Sequence, residues 1–134
     1  MNKCLYCYLE LDEDQVDYHS KCSIAFYGTS QPPVLPYRLE DMEKLAKEAV
    51  ELSISVPGVQ PKLSLGWIKT FLENGHDGRL TILDALDGNY ILKPQNLQYK
   101  QMPENEHLSM KLAELYKIDT VPSNMIRLIS GELC

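Results

Sequence analysis

The sequence predicts an α+β fold: a short metal-tied knuckle at the N-terminus, followed by a mainly antiparallel sheet with two helices. Three observations predict it. Two Cys/His pairs with metal-ligand spacing fall between Cys4 and Cys22. Two stretches carry apolar residues at helical spacing, and the chain between them breaks into short apolar or alternating runs bounded by turn residues.

The knuckle comes first. Cys4-x2-Cys7 is followed after eleven residues by His19-x2-Cys22. Ligands two residues apart on a tight turn point at one centre, and two such pairs complete a Cys3His set with no open position, which suits a structural zinc. Free thiols and a disulfide are the competing readings, and a reducing cytoplasm disfavours the second. Residues 8–18 are short and acidic, so metal binding is expected to supply most of the folding free energy of residues 1–27. Cys134 has no partner in the sequence and receives no role.

A proline-rich stretch follows, with Pro32, Pro33 and Pro36. It reads as a semi-rigid linker over 29–38, dividing a knuckle segment (1–28) from the remainder (39–134). Apolar residues at 39, 42, 45, 46, 49 and 52 predict a first helix that ends before Pro57-Gly58. Alternation from Leu63 to Trp67 predicts a strand, and residues 73–78 read as a loop. Residues 79–83 and 89–92 predict two more strands, joined through Asp87-Gly88. A second helix is predicted over 103–117, with Leu108, Leu112 and Leu115 on one stripe and Glu104 and Glu106 in its first turn. Residues 125–129 predict a last strand, and Ser130-Gly131 opens a hairpin only four residues before the last residue given, so the domain is expected to be incomplete at that end.

Composition narrows the function classes. A chain of 134 residues has room for about one domain, and 44% hydrophobic residues give it a core. Thirteen Lys and Arg against nineteen Asp and Glu leave a net charge of −6, which argues against a protein that coats nucleic acid. The loop between Cys7 and His19 carries Glu10, Asp12, Glu13, Asp14 and Asp17 and no basic residue, so the knuckle would repel phosphate. No apolar run reaches the length of a membrane span and no signal peptide is visible, so cytoplasm is the expected compartment.

The stretch richest in chemistry is Ser53-Ile54-Ser55-Val56-Pro57-Gly58-Val59-Gln60-Pro61-Lys62. Its backbone N–H groups could cradle phosphate oxygens. About 30 residues on, a strand delivers Lys93, and a helix then begins with Glu104-Asn105-Glu106. Loop, strand lysine and helix glutamate in that order are laid out as in the small lobe of a kinase, where the lysine contacts phosphates and the glutamate holds it.

These residues resemble the HipA-like serine/threonine kinases of bacterial toxin–antitoxin systems. The resemblance runs from about residue 39 to the end and rests on the 53–65 loop and strand, on Tyr90-Ile91-Leu92-Lys93-Pro94 and on Glu104-Asn105-Glu106. It looks closest to the HipT-type branch, whose usual first subdomain is a separate small protein. The resemblance implies that Ser53 and Ser55 are autophosphorylated, ejecting the loop from the nucleotide site and switching activity off. Each phosphate would add nearly two negative charges beside a pocket built for a polyanion. It implies further that Val56, Pro57, Gly58 and Val59 cover the nucleotide, that Lys93 contacts its phosphates, and that Glu106, or Glu104 two residues away, is the partner of Lys93. ATP and magnesium are cofactors of the complete kinase. Implied partners are the remainder of the kinase or a full-length kinase, a HipB-like antitoxin and a small HipS-like subdomain protein, with no direct nucleic acid and no membrane.

The family also needs a catalytic aspartate, a following asparagine and a metal-binding aspartate in its large lobe. None follows Cys134, and Asp84, Asp87 and Asp119 sit in turns or connections. The chain alone is therefore expected to bind ATP weakly or not at all and to carry out no phosphoryl transfer. The alternative reading is a non-catalytic, zinc-stabilised interaction module, or an antitoxin-like partner of a full-length kinase.

Overall fold

A computed structural model describes residues 2–42, 44–45, 63–72, 75–82, 90–96 and 98–134. The described elements are helix α1 (Ser20–Tyr27), strands β1 (Leu63–Leu72), β2 (Gly75–Ile82) and β3 (Tyr90–Leu92), and helix α2 (Met102–Leu115). Residues 39–42 and 44–45 are helical, the described part of the first predicted helix. The fold is α+β. Among the described residues no helix is long and apolar enough to cross a membrane.

The sheet has the order β2-β1-β3 and both pairings are antiparallel. Leu72 pairs with Gly75, so β2 takes up residues 75–78, which the sequence assigns to a loop. Glycine, asparagine and aspartate signal a turn, but pairing to β1 places 75–78 in the ladder. Leu63, Ser64 and Leu65 pair with Leu92, Ile91 and Tyr90, which seats the short β3 on the other edge of β1.

α1 is ended by Gly28, whose φ of 76° lies in the left-handed region and whose N–H reaches Ile24 O at 2.9 Å. α2 carries Pro103 in its first turn, where the missing N–H costs no hydrogen bond. At its other end Lys117 is left-handed (φ 58°), and its N–H bonds Glu114 O while the Ile118 N–H bonds Ala113 O. That is a Schellman closure with lysine where glycine is usual.

Two clusters form the described core. One joins Leu35, Met42, Leu92, Ile126, Leu128 and Cys134. The other joins Cys4, Leu5, Tyr18, Cys22, Tyr27 and Met125, and Tyr90 packs against both. Three expectations change as a result. The proline-rich segment is no bare spacer, because Leu35 is 1% exposed and forms a parallel bridge with Leu128. A proline run lacks N–H donors but not side chains, and one leucine in it suffices to anchor it. Residues 125–129 form isolated bridges rather than a strand, and the final hairpin is closed by Ile126 and Cys134 exchanging both backbone hydrogen bonds at 2.9 and 2.8 Å. Cys134, given no role by the sequence, is core, with burial pushing its thiol up to about 12.

The apolar stripe read on α2 faces outward. Leu108, Leu112 and Leu115 are exposed, and the helix instead buries Pro103 and His107.

Candidate functional site

The knuckle folds around its ligands. Cys4 O accepts the Tyr8 N–H at 2.9 Å and the Cys4 N–H reaches Leu9 O at 2.9 Å, which closes the Cys4–Cys7 turn with Tyr8 in the left-handed region (φ 63°). The Cys22 and Ser23 N–H groups bond His19 O at 2.9 and 3.0 Å, so the second ligand pair straddles the start of α1. The donor atoms of Cys4, Cys7, His19 and Cys22 all lie within 4.8 Å of one another. His19 Nδ1 is 3.4 Å from Cys7 Sγ and 3.8 Å from Cys22 Sγ. Its Nε2–H donates to Glu10 O at 2.9 Å, which turns the Nδ1 lone pair toward the sulfurs. Spacing predicted the four ligands; the Glu10 carbonyl was beyond it, because any backbone group can play that part.

The thiols are electrostatically unequal. Burial opposes ionisation of Cys4, but backbone N–H groups of Cys7, His19 and Tyr6 together with the Cys7 thiol overcome it and hold Cys4 down at about 6. Burial, and then the hydrogen bonds and charge shared with Cys7 and Cys4, push Cys22 up to about 12. Three sulfurs and an imidazole at this separation can hold a metal ion.

A second constellation sits where β3 meets α2. Lys93 Nζ is ion-paired with Glu106 Oε1, and both side chains are about two-thirds buried. Glu104 is engaged elsewhere, accepting from Gln95 Nε2 at 3.0 and 2.8 Å. Of the two acids the sequence left open, Glu106 is the one that meets Lys93. The pair lines a cavity of about 780 Å³ whose wall also includes Tyr6, Phe26, His107 and Asn124. Ser53, Ser55, Val56, Pro57, Gly58 and Val59 lie outside the described residues.

Several contacts around this cavity had no sequence signal. The Tyr8 hydroxyl is 2.6 Å from His107 Nδ1, across 99 residues. Burial and then the charge of Glu104 raise the Tyr8 pKa, so the phenol keeps its proton and donates. Burial, followed by the Lys111 charge, lowers the His107 pKa and keeps the imidazole neutral. Lys111 Nζ lies 4.3 Å from the Tyr6 ring centroid. The Tyr18 hydroxyl donates to Met125 O, and Asn124 Nδ2 donates to the Tyr27 hydroxyl at 3.2 Å.

Comparison with known proteins identifies the family. The family model for the HipA-like C-terminal domain matches residues 54–133. A Haemophilus influenzae protein named "Putative kinase" is 31% identical over 102 residues, which cover 75% of this chain and 26% of that protein. The chain thus spans about a quarter of the length of this curated relative. With more than half of its residues matched by the family model, the chain belongs to the HipA-like C-terminal domain family, that of the HipA-like kinases.

Proposed function

We propose that this chain supplies the nucleotide-binding small lobe of a HipA-like serine/threonine kinase of a toxin–antitoxin system. In this reading residues 39–134 form the lobe, Lys93 contacts the ATP phosphates, and Glu106 holds Lys93 in place. The observation that carries it is the Lys93–Glu106 pair at the wall of a 780 Å³ cavity. The loop with Val56, Pro57, Gly58 and Val59 covers the nucleotide, and phosphorylation of Ser53 or Ser55 switches the site off by charge repulsion. Magnesium and the catalytic aspartates belong to a large lobe, and a HipB-like antitoxin and a HipS-like subdomain protein are the partners. Residues 1–28 form a segment held by a structural zinc on Cys4, Cys7, His19 and Cys22, supported by the convergence of the four donors.

The test is titration of MgATP. This chain alone should bind weakly or not at all. A polypeptide in which its residues are followed by a HipA-like large lobe should bind, and Lys93→Met should weaken that binding at least about tenfold, equivalent to about 1.4 kcal/mol. Equal affinities for the parent and Lys93→Met would overturn the assignment. Phosphate incorporation into the joined polypeptide, measured by intact mass, should disappear in the Ser53→Ala, Ser55→Ala double variant.

A further inference from the structure

We infer that the Cys3His knuckle is a positioning device for the Lys93–Glu106 pair, acting on α2 through Tyr8 and His107. The inference goes beyond the proposed kinase reading, on which only its consequence for nucleotide binding rests.

The first support is what α2 lacks. Among its described residues only Pro103 and His107 are buried, while Leu108, Leu112 and Leu115 face outward. A helix usually takes its rotation and height from an apolar stripe set into a core. Here that stripe has no partner among the described residues, so the few contacts on the other face decide where the helix sits. The Lys93–Glu106 pair and the Gln95–Glu104 bonds hold only the N-terminal end of the helix. With both side chains of the ion pair about a third exposed, water screens its attraction and ordering two long side chains offsets it.

The second support is what grips that other face. Tyr6 lies inside the Cys4-x2-Cys7 turn and Tyr8 directly follows it. Tyr8 meets His107 by hydrogen bond and by ring contact at 5.3 Å between centroids, and Tyr6 meets Lys111 one turn further along. Residues 107 and 111 share one helix face, and Glu106 is the immediate neighbour of His107. A rotation or slide of α2 that broke the Tyr8–His107 bond would therefore also withdraw the Glu106 carboxylate from Lys93.

The third support is conformational. Tyr8 occupies the left-handed region, where the Cβ of a non-glycine residue crowds the following carbonyl oxygen. What holds it there is the ligand turn, through the Tyr8 N–H to Cys4 O bond. When the Cys4–Cys7 turn relaxes, the reason for Tyr8 to point at His107 is lost. Metal loading, Tyr8 orientation, α2 position and the Lys93–Glu106 pair form one mechanical chain.

Lys93 amine reactivity reads the end of that chain without any nucleotide. The zinc-loaded full chain is labelled with an amine-reactive ester and followed by peptide mass spectrometry, with the exposed Lys100 as internal reference. Tyr8→Phe keeps the ring and removes the hydroxyl. It should raise Lys93 labelling at least about threefold relative to Lys100, with metal content unchanged. Chelation should raise it by as much or more. His107→Asn, which keeps an acceptor near the Nδ1 position, should stay within about twofold of the parent, whereas His107→Leu should match Tyr8→Phe. Parent-like Lys93 labelling in Tyr8→Phe would overturn the proposal, as would equal labelling in His107→Asn and His107→Leu. ATP protection of Lys93 in the polypeptide joined to a large lobe is a separate readout; its absence would count against the nucleotide reading and leave the coupling standing.

Discussion

The N-terminal segment and α2 are built on opposite principles. Residues 1–28 are acidic and few, yet they bury Cys4, Leu5, Tyr18, Cys22, Ser23 and Tyr27. They do so by convergence of ligand side chains and by hydroxyls that reach the rest of the chain: Tyr18 to Met125, Tyr27 to Asn124, Tyr8 to His107. α2 is a regular helix of fourteen residues with a clear apolar stripe, and that stripe is in solvent. The difference shows that an apolar pattern does not by itself secure an element. The N-terminal segment has no regular apolar stripe, yet its apolar and aromatic side chains gather in one cluster and specific chemistry pins it in several directions. The better-patterned helix is held on the side away from its stripe.

Metal removal tests the first half of that contrast and has the largest expected effect. Zinc binding to finger-sized peptides contributes about 10–16 kcal/mol, more than the whole stability of most domains. Because Met125, Tyr90 and Leu133 pack into the same cluster as Cys4 and Cys22, the loss should not stop at the knuckle. Chelation should abolish amide-exchange protection in residues 4–27 and also in 125–128. Protection retained at 125–128 would make the N-terminal segment an appendage and weaken the contrast. Fewer than about one zinc per chain, measured on protein purified without chelator, would remove its basis.

Tyr18→Phe is next. The hydroxyl lies in a nearly fully buried ring and donates to the Met125 carbonyl, close to the Tyr27 hydroxyl at 3.5 Å. Removing it leaves a buried acceptor unpaired, a cost of about 1–3 kcal/mol with no change in apolar volume. Denaturant unfolding of the metal-loaded chain measures it. A loss smaller than about 0.5 kcal/mol, under the usual hydrogen-bond range, would mean that ring packing alone joins the segment to residue 125.

What the sequence made legible follows from the range of each interaction. The Cys3His cluster was readable because two-residue spacing is a local constraint. Lys93 and a first-turn glutamate were readable as a pair through the kinase-like layout and the family resemblance, which left Glu104 and Glu106 open until the structure brought Glu106 to Lys93. Tyr8 and His107 were not, since nothing local in a tyrosine and a histidine 99 residues apart marks them as neighbours. The stripe of Leu108, Leu112 and Leu115 was legible as a shared face, but its exposure was not, because periodicity says which residues share a face and not what that face meets. The start of β2 was read as loop since Gly75 and Gly78 suit turns, and only the pairing with β1 shows that they belong to the ladder.

Acid should reveal the buried polar anchor of α2, His107. The His107 pKa is lowered in the folded chain by burial and by Lys111, from an ordinary value of 6.5. Above that pH both folded and unfolded states are neutral at this site and stability is unaffected. Below it the unfolded chain takes up a proton that the folded chain resists, so stability falls as pH falls. The fall continues until the folded imidazole itself protonates and can no longer accept from Tyr8. His107→Asn should flatten this part of the stability–pH curve relative to the parent, between pH 6.5 and 5, with the metal site common to both. Parallel curves for the two proteins would show that His107 titrates as if exposed and that the grip on α2 lies elsewhere.

The smallest effect should come from the outward face of the same helix. Leu112 is 48% exposed and Leu115 is 79% exposed. Replacing each by lysine keeps a strong helix former, and a cation near the C-terminus suits the helix dipole. Core leucines cost about 2–5 kcal/mol when truncated, whereas exposed positions away from special contacts stay within about 0.5 kcal/mol. Leu112→Lys and Leu115→Lys should therefore leave the unfolding midpoint of this chain almost unchanged, while Lys93 labelling stays at the parent level. A loss as large as that of a truncated core leucine would place the stripe against a packed surface after all, and α2 would then be held on two faces, erasing the difference between it and the N-terminal segment.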